Sequence, residues 1–117
     1  LMLSDLVLSC STKPEAFGRT VLEAQAMGKP VIAFNHGGSI ELINDNENGI
    51  LCKVSDVNDL AINLEKVLQF SVYKRKVLAK KSISNVNKKY LTHFMCKKTL
   101  NLYIKLIKNF REKNINY

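Results

Sequence analysis

The 117 residues contain no tryptophan, only two prolines and five glycines. No internal repeat and no low-complexity linker interrupts them. The three cysteines, Cys10, Cys52 and Cys96, are odd in number and far apart, with no C-x-x-C pair. That excludes a zinc or redox motif and fits free, partly buried thiols in a reducing cytoplasm. His36 and His93 stand alone, without metal-ligand spacing, so no metal and no cofactor is expected. No stretch approaches the ~20 apolar residues that a membrane span needs. Leu1–Cys10 is apolar but short, carries Asp5, and has neither a basic leader nor a cleavage site, which argues against a signal peptide.

What is present is ordinary for one small globular domain: 46% hydrophobic and 24% charged residues. The net charge of +8 is unevenly placed. Residues 1–57 carry −3 and residues 58–117 carry +11. Such asymmetry fits solvated helix faces, an anionic membrane surface or a nucleic acid. Lys74, Arg75, Lys76, Lys80, Lys81, Lys88, Lys89, Lys97 and Lys98 are read first as solvated surface, and Tyr73, Tyr90 and Tyr103 as packing residues.

The first half alternates short apolar runs with helical patterns. Strands are expected at Asp5–Cys10, Pro30–Phe34 and Gly49–Val54. A helix is expected over Gly18–Met27, with Val21, Leu22, Ala24, Ala26 and Met27 on its apolar stripe and Gly28 and Pro30 as its stop. Ser39 is expected to cap a short helix through Ile43. From Ser55 or Asp56 a helix carries Leu60, Ile62, Leu64, Val67 and Leu68, and two basic helical stretches follow at about 73–90 and 94–110. Strand–helix alternation with tight connections predicts an α/β fold with a partial Rossmann-like parallel sheet. Residues 1–70 form its binding region, and the basic helices of 71–117 are expected to pack on it as one domain. Three strands make a thin sheet whose open edge favours self-association or a missing N-terminal neighbour.

The segment Pro14–Ile43 carries the chemistry. Glu15 lies in a loop, a Phe17–Gly18 pair leads into the helix, and Glu23 follows within two turns. A loop carboxylate can accept hydrogen bonds from sugar hydroxyls. The free N–H groups of a helix start suit phosphate, and a carboxylate on the helix can take a ribose diol. All of this falls at the carboxyl end of the first strand, where open parallel sheets bind ligands. Gly37 and Gly38 are expected chiefly to serve their own turn, and Glu41 is divided between a helix first-turn charge and a site role.

The run PEAFGRTVLEAQAMGKPVIAFNHGGSIELI resembles the retaining family-4 group of GT-B glycosyltransferases, the group 1 domain, whose Glu–x7–Glu motif is matched by Glu15 and Glu23. The resemblance is strong over residues 9–70 and looser afterwards. It implies donor-sugar contacts from Glu15, Ala16, Phe17 and Gly18. It also implies diphosphate contacts along Arg19, Thr20, Val21 and Leu22, and a ribose contact from Glu23. The side chain of Arg19 is left between solvent and an acidic neighbour. The implied partner is a UDP- or GDP-sugar; no nucleic acid is expected.

In that family the phosphate-clamping Arg and Lys and the acceptor domain with its catalytic-site histidine lie upstream, and His36 is in the wrong place to replace the latter. The chain is therefore expected to be the truncated donor-binding part of a hexosyltransferase that is inactive alone. Its expected setting is bacterial envelope polysaccharide or lipopolysaccharide synthesis, in the cytoplasm or at the inner face of the membrane. The alternatives are a non-catalytic basic module binding nucleic acid or anionic lipid through residues 73–113, and a degenerate remnant acting through protein interactions.

Overall fold

The computed structural model of the protein describes residues 3–14, 16–90 and 92–114. Three strands, β1 (Val7–Ser9), β2 (Val31–Phe34) and β3 (Ile50–Cys52), alternate with α1 (Arg19–Ala26) and α2 (Ser39–Leu42). Three helices follow: α3 (Val57–Leu68), α4 (Val72–Lys89) and α5 (Thr92–Asn114). The strands are parallel in the order β1-β2-β3, with Val7 opposite Val31 and Ile32 opposite Ile50. The strands are shorter than the apolar runs that predict them.

Alternation along a strand sends successive side chains to opposite faces. On one face Ile32, Phe34, Ile50 and Cys52 pack with Val67 of α3, and Leu60, Leu64 and Phe70 close around them. The opposite face, with Val7, Val31 and Ala33, is where α1 meets β1 and β2 through its buried Val21 and Ala24. All four residues of β2 are buried, as befits a central parallel strand. β1 is an edge among the described strands, and its Leu8 is 45% exposed.

Two helix starts follow different rules. Asp56 caps α3, its carboxylate accepting the N–H of Asp59 at 2.9 Å. Ser39 does not cap α2: the cap position is Gly38, and Ser39 is the first helical residue. On α3, Ile62 and Leu68 are exposed rather than packed, because the apolar arc is wider than the strip that faces the sheet. Arg75 is partly buried rather than solvated. Its guanidinium donates at 3.4 Å to the carbonyls of Val67, Leu68 and Phe70, covering the carbonyls left open at the end of α3, and to Asp5 ahead of β1. Tyr73 and Tyr103 are exposed rather than packed.

The chain divides into two compact units, residues 1–87 and 88–117. α4 belongs almost entirely to the first, where it buries Leu78, Ser82 and Val86.

Gln25 is the unexpected core residue. It is fully buried on α1, and its Nε2 donates to the carbonyls of Leu42 (3.0 Å) and Asn48 (3.3 Å). Buried Asn48 donates from Nδ2 to the same Leu42 carbonyl, and its Oδ1 accepts the N–H of Asn44 at 2.8 Å. The Ser82 hydroxyl donates to the Asn48 carbonyl at 3.1 Å. This polar knot joins α1, the end of α2, the loop before β3 and α4.

Candidate functional site

The site lies where β1 and β2 end. The chain leaving β1 runs through Ser11–Pro14 and Ala16–Gly18 into α1, and the chain leaving β2 turns through Asn35–Gly38 into α2. Two contacts bring these segments together. His36 Nε2 lies 2.7 Å from the carbonyl oxygen of Ser11. A carbonyl only accepts, so the imidazole carries its proton on Nε2. The Phe34 ring meets the His36 ring edge-on at 6.3 Å between centroids, which holds the imidazole from the sheet side.

The second contact is backbone to backbone. A Cβ placed on Gly38 would sit 2.5 Å from the Phe17 carbonyl carbon, 2.7 Å from its oxygen and 2.8 Å from its Cα. Only glycine lets the turn after β2 lie directly against the peptide that precedes α1. The sequence reading gave Gly38 to its own turn; its larger effect is on the neighbouring loop. The signal for it was the Gly–Gly pair directly after an apolar strand, but the partner lies 21 residues earlier in the chain and no local pattern names it.

Gly18 then starts α1 from a left-handed conformation, φ 69° and ψ 47°. A side-chain-bearing residue at such a cap would place Ser, Thr, Asp or Asn oxygen on the first amides; glycine has none, and no side-chain cap bond is formed. By helix geometry the N–H groups of Arg19, Thr20 and Val21 have no intrahelical acceptor. Leu22 differs from its expected role: its N–H already donates to the Gly18 carbonyl at 3.2 Å, which removes it from the set of open donors. Val21 contributes only backbone, since its side chain is fully buried.

Glu23 is one turn further along the same face as Arg19. Their side chains pair, Nε to Oε1 at 3.0 Å, and both are exposed (85% and 51%). An exposed i,i+4 pair of this kind is worth only about 0.3–0.5 kcal/mol. A diol offering two hydroxyls to the carboxylate can therefore compete with Arg19. Glu15 lies outside the described residues. Ala16 and Phe17 are exposed beside it. Glu41 is exposed on α2.

A shallow cleft between the two strand ends is lined by Ser9, Ser11, Lys13, His36 and Ser39. Lys13, on which the sequence alone puts no emphasis, thus adds an exposed cation to the cleft that Ser39 of α2 also lines. A larger groove, lined by Ile62, Lys66, Gln69 and Lys74 among others, belongs to α3 and the start of α4 and contains none of these residues. Behind the strand ends, burial holds the Cys10 thiol above its ordinary pKa. Burial, reinforced by the Asp59 carboxylate, pushes the thiol of Cys52 up to about 11. Both stay protonated and take no part as nucleophiles at neutral pH.

Known proteins resemble this chain in sequence and in fold. Residues 1–85 match the family model described as glycosyl transferases group 1. N-acetyl-alpha-D-glucosaminyl L-malate synthase of Bacillus anthracis is 46% identical over 69 residues, which are 56% of this chain and 18% of that protein. Poly(ribitol-phosphate) alpha-N-acetylglucosaminyltransferase of Staphylococcus aureus is 36% identical over 107 residues, 86% of this chain and 21% of that one. The chain thus spans about a fifth of the length of these relatives.

Among solved structures, a glycosyltransferase from Rickettsia africae superposes with a TM-score of 0.87 at 34% identity, over 92% of this chain and 28% of its own. Anabaena HepE in complex with UDP-glucose superposes with a TM-score of 0.82 at 27% identity, over 89% and 28% respectively. The parallel sheet with its flanking helices is accordingly part of a GT-B glycosyltransferase fold, and the chain belongs to the group 1 family of glycosyl transferases.

Proposed function

We propose that this chain is the donor-binding part of a retaining hexosyltransferase, holding a nucleotide diphosphate sugar at the ends of β1 and β2. The diphosphate lies on the open amides of Arg19, Thr20 and Val21, where the helix start offers partial positive charge. Glu23 takes the ribose diol. Glu15 and the backbone of Ala16, Phe17 and Gly18 face the sugar. The observation that carries this reading is the seating of Gly38 on the Phe17 backbone, which presses an uncapped helix start against the ends of two parallel strands. The UDP-glucose bound to HepE supports a uridine diphosphate sugar as donor, with a guanosine diphosphate sugar as the second choice.

Transfer needs an acceptor opposite the sugar and cations on the departing diphosphate. We assign the acceptor side to a preceding domain, and the open β1 edge to the strand that would join it; in the isolated chain the same edge favours self-association. Loss of one preorganised donor costs about 3–4 kcal/mol in other enzymes, so the 117 residues alone bind donor without turning it over. The poly(ribitol-phosphate) enzyme among the relatives supports a polymer acceptor and, with it, a role in envelope polysaccharide synthesis.

Calorimetric titration with UDP, GDP and their sugars tests the reading, with a parallel assay for sugar release. Saturable binding of one nucleotide, weakened about tenfold or more by Glu23→Ala, and no turnover are expected. Binding unaffected by Glu23→Ala would remove the ribose assignment, and turnover by the isolated chain would refute the division of labour.

A further inference from the structure

Residues 11–17 join β1 to α1 and include the backbone that the proposed site turns toward the donor sugar. Burial does not hold this segment: Ser11, Thr12, Lys13, Pro14, Ala16 and Phe17 are all exposed. A loop without buried apolar contacts has little of its own to fix it. Ser11 Oγ donates to the Lys13 carbonyl at 2.9 Å, which sets a local bend but ties the segment to nothing else. Among the described residues, its hydrogen bond to the rest of the fold comes from His36, whose Nε2 lies 2.7 Å from the Ser11 carbonyl. At the far end, the Phe17 backbone carries the close contact with Gly38. One turn, after β2, therefore pins both ends of the segment. That turn is fixed to the sheet. The N–H of His36 donates to the Phe34 carbonyl and the N–H of Asn35 to the Cys52 carbonyl of β3, both at 2.8 Å. The His36 ring also meets the ring of buried Phe34.

We propose that His36 is a positioning residue for the donor sugar: through its Nε2–H on the Ser11 carbonyl it sets the segment that faces the sugar. The role rests on the donor-binding reading of the site. The two anchors divide the work. Gly38 bears on the peptide next to the first amides of α1, so it governs the diphosphate end. His36 bears on the opposite end of the segment, away from those amides, so it governs the sugar end. An imidazole with its proton on Nε2 and an imidazolium both donate from that nitrogen. The anchor therefore needs the N–H and not the charge.

Titrating the 117-residue chain and two variants with UDP and with UDP-glucose separates this role from a structural one. His36→Leu removes the donor, whereas His36→Gln keeps an amide N–H the same number of bonds from Cα. His36→Leu is expected to weaken UDP-glucose about tenfold, the scale of a lost hydrogen bond, and UDP less than about twofold. His36→Gln should recover the affinity for UDP-glucose. In the chain without ligand, the nitrogen-15 amide resonances of Thr12, Lys13 and Ala16 should move in His36→Leu and return in His36→Gln, while those of Arg19, Thr20 and Val21 stay in place. Equal loss of UDP and UDP-glucose, or a loss that glutamine does not repair, would overturn the proposal. Unchanged affinity for UDP-glucose in His36→Leu would overturn it as well and leave the donor reading intact. Wild-type chain that binds neither ligand would instead refute the donor reading, and the sugar role of His36 with it.

Discussion

Replacing Gly38 by alanine is expected to abolish nucleotide binding and to lower the stability of the first unit. The added methyl would stand 2.5–2.8 Å from three backbone atoms of Phe17, and backbone cannot rotate away as a side-chain tip can. Either the turn after β2 or the peptide before α1 must move by roughly 1 Å. Overpacking of this sort costs about 1–3 kcal/mol, which for a domain of this size is a fall in Tm of roughly 5–15 °C. The effect on the site should exceed the effect on the fold. A displacement near 1 Å at a positioning element can cost about a hundredfold in function, and the displaced peptide is the one that delivers Gly18 and the first amides of α1. Thermal melts and nucleotide titrations on Gly38→Ala check both parts. Unchanged binding would mean that the contact between turn and loop does not position the site.

The second large effect belongs to Gln25, where two substitutions are expected to diverge. Gln25→Ala removes two hydrogen bonds and leaves a cavity at a fully buried position. Deletions of that size cost about 2–5 kcal/mol. Gln25→Leu keeps most of the volume. It also leaves neither carbonyl alone, because Leu42 still receives Asn48 Nδ2 and Asn48 still receives the Ser82 hydroxyl. Moreover, Gln25 Oε1 is buried and has no hydrogen-bond donor among the described residues, so leucine removes an unmet acceptor as well as a donor. The leucine variant should therefore lose less than about 1.5 kcal/mol. Urea denaturation of the two variants separates them; equal losses would mean that the hydrogen bonds, not the volume, hold the knot.

These two positions mark where the sequence was readable and where it was not. The buried strands announced themselves as apolar runs such as Val31–Phe34, and α3 by a cap at Ser55 or Asp56 ahead of a periodic run, of which Asp56 is the one formed. The Glu–x7–Glu spacing pointed to the loop and helix that meet the strand ends, although Glu15 itself lies outside the described residues. Gln25 was not readable, because a glutamine on an amphipathic helix looks like a solvent-facing residue. Its partners are backbone carbonyls 17 and 23 residues away, which leave no trace in any local period. His36 was set aside as a lone histidine for the same reason: its acceptor, the Ser11 carbonyl, is 25 residues distant. Leu22 fell on the wrong side of the helix start by one residue, since a single i→i−4 bond to Gly18 decides whether an amide is open. Long-range contacts to backbone atoms, rather than residue types, were the missing information.

The proposed donor site depends on the start of α1 receiving a diphosphate. The most direct measurement is a nitrogen-15 NMR titration of the chain with UDP, following the amides of Gly18, Arg19, Thr20 and Val21. Saturable downfield shifts concentrated on Arg19, Thr20 and Val21, with a smaller response at Gly38, are the result expected from the geometry. Saturable shifts elsewhere with those amides unmoved would contradict it.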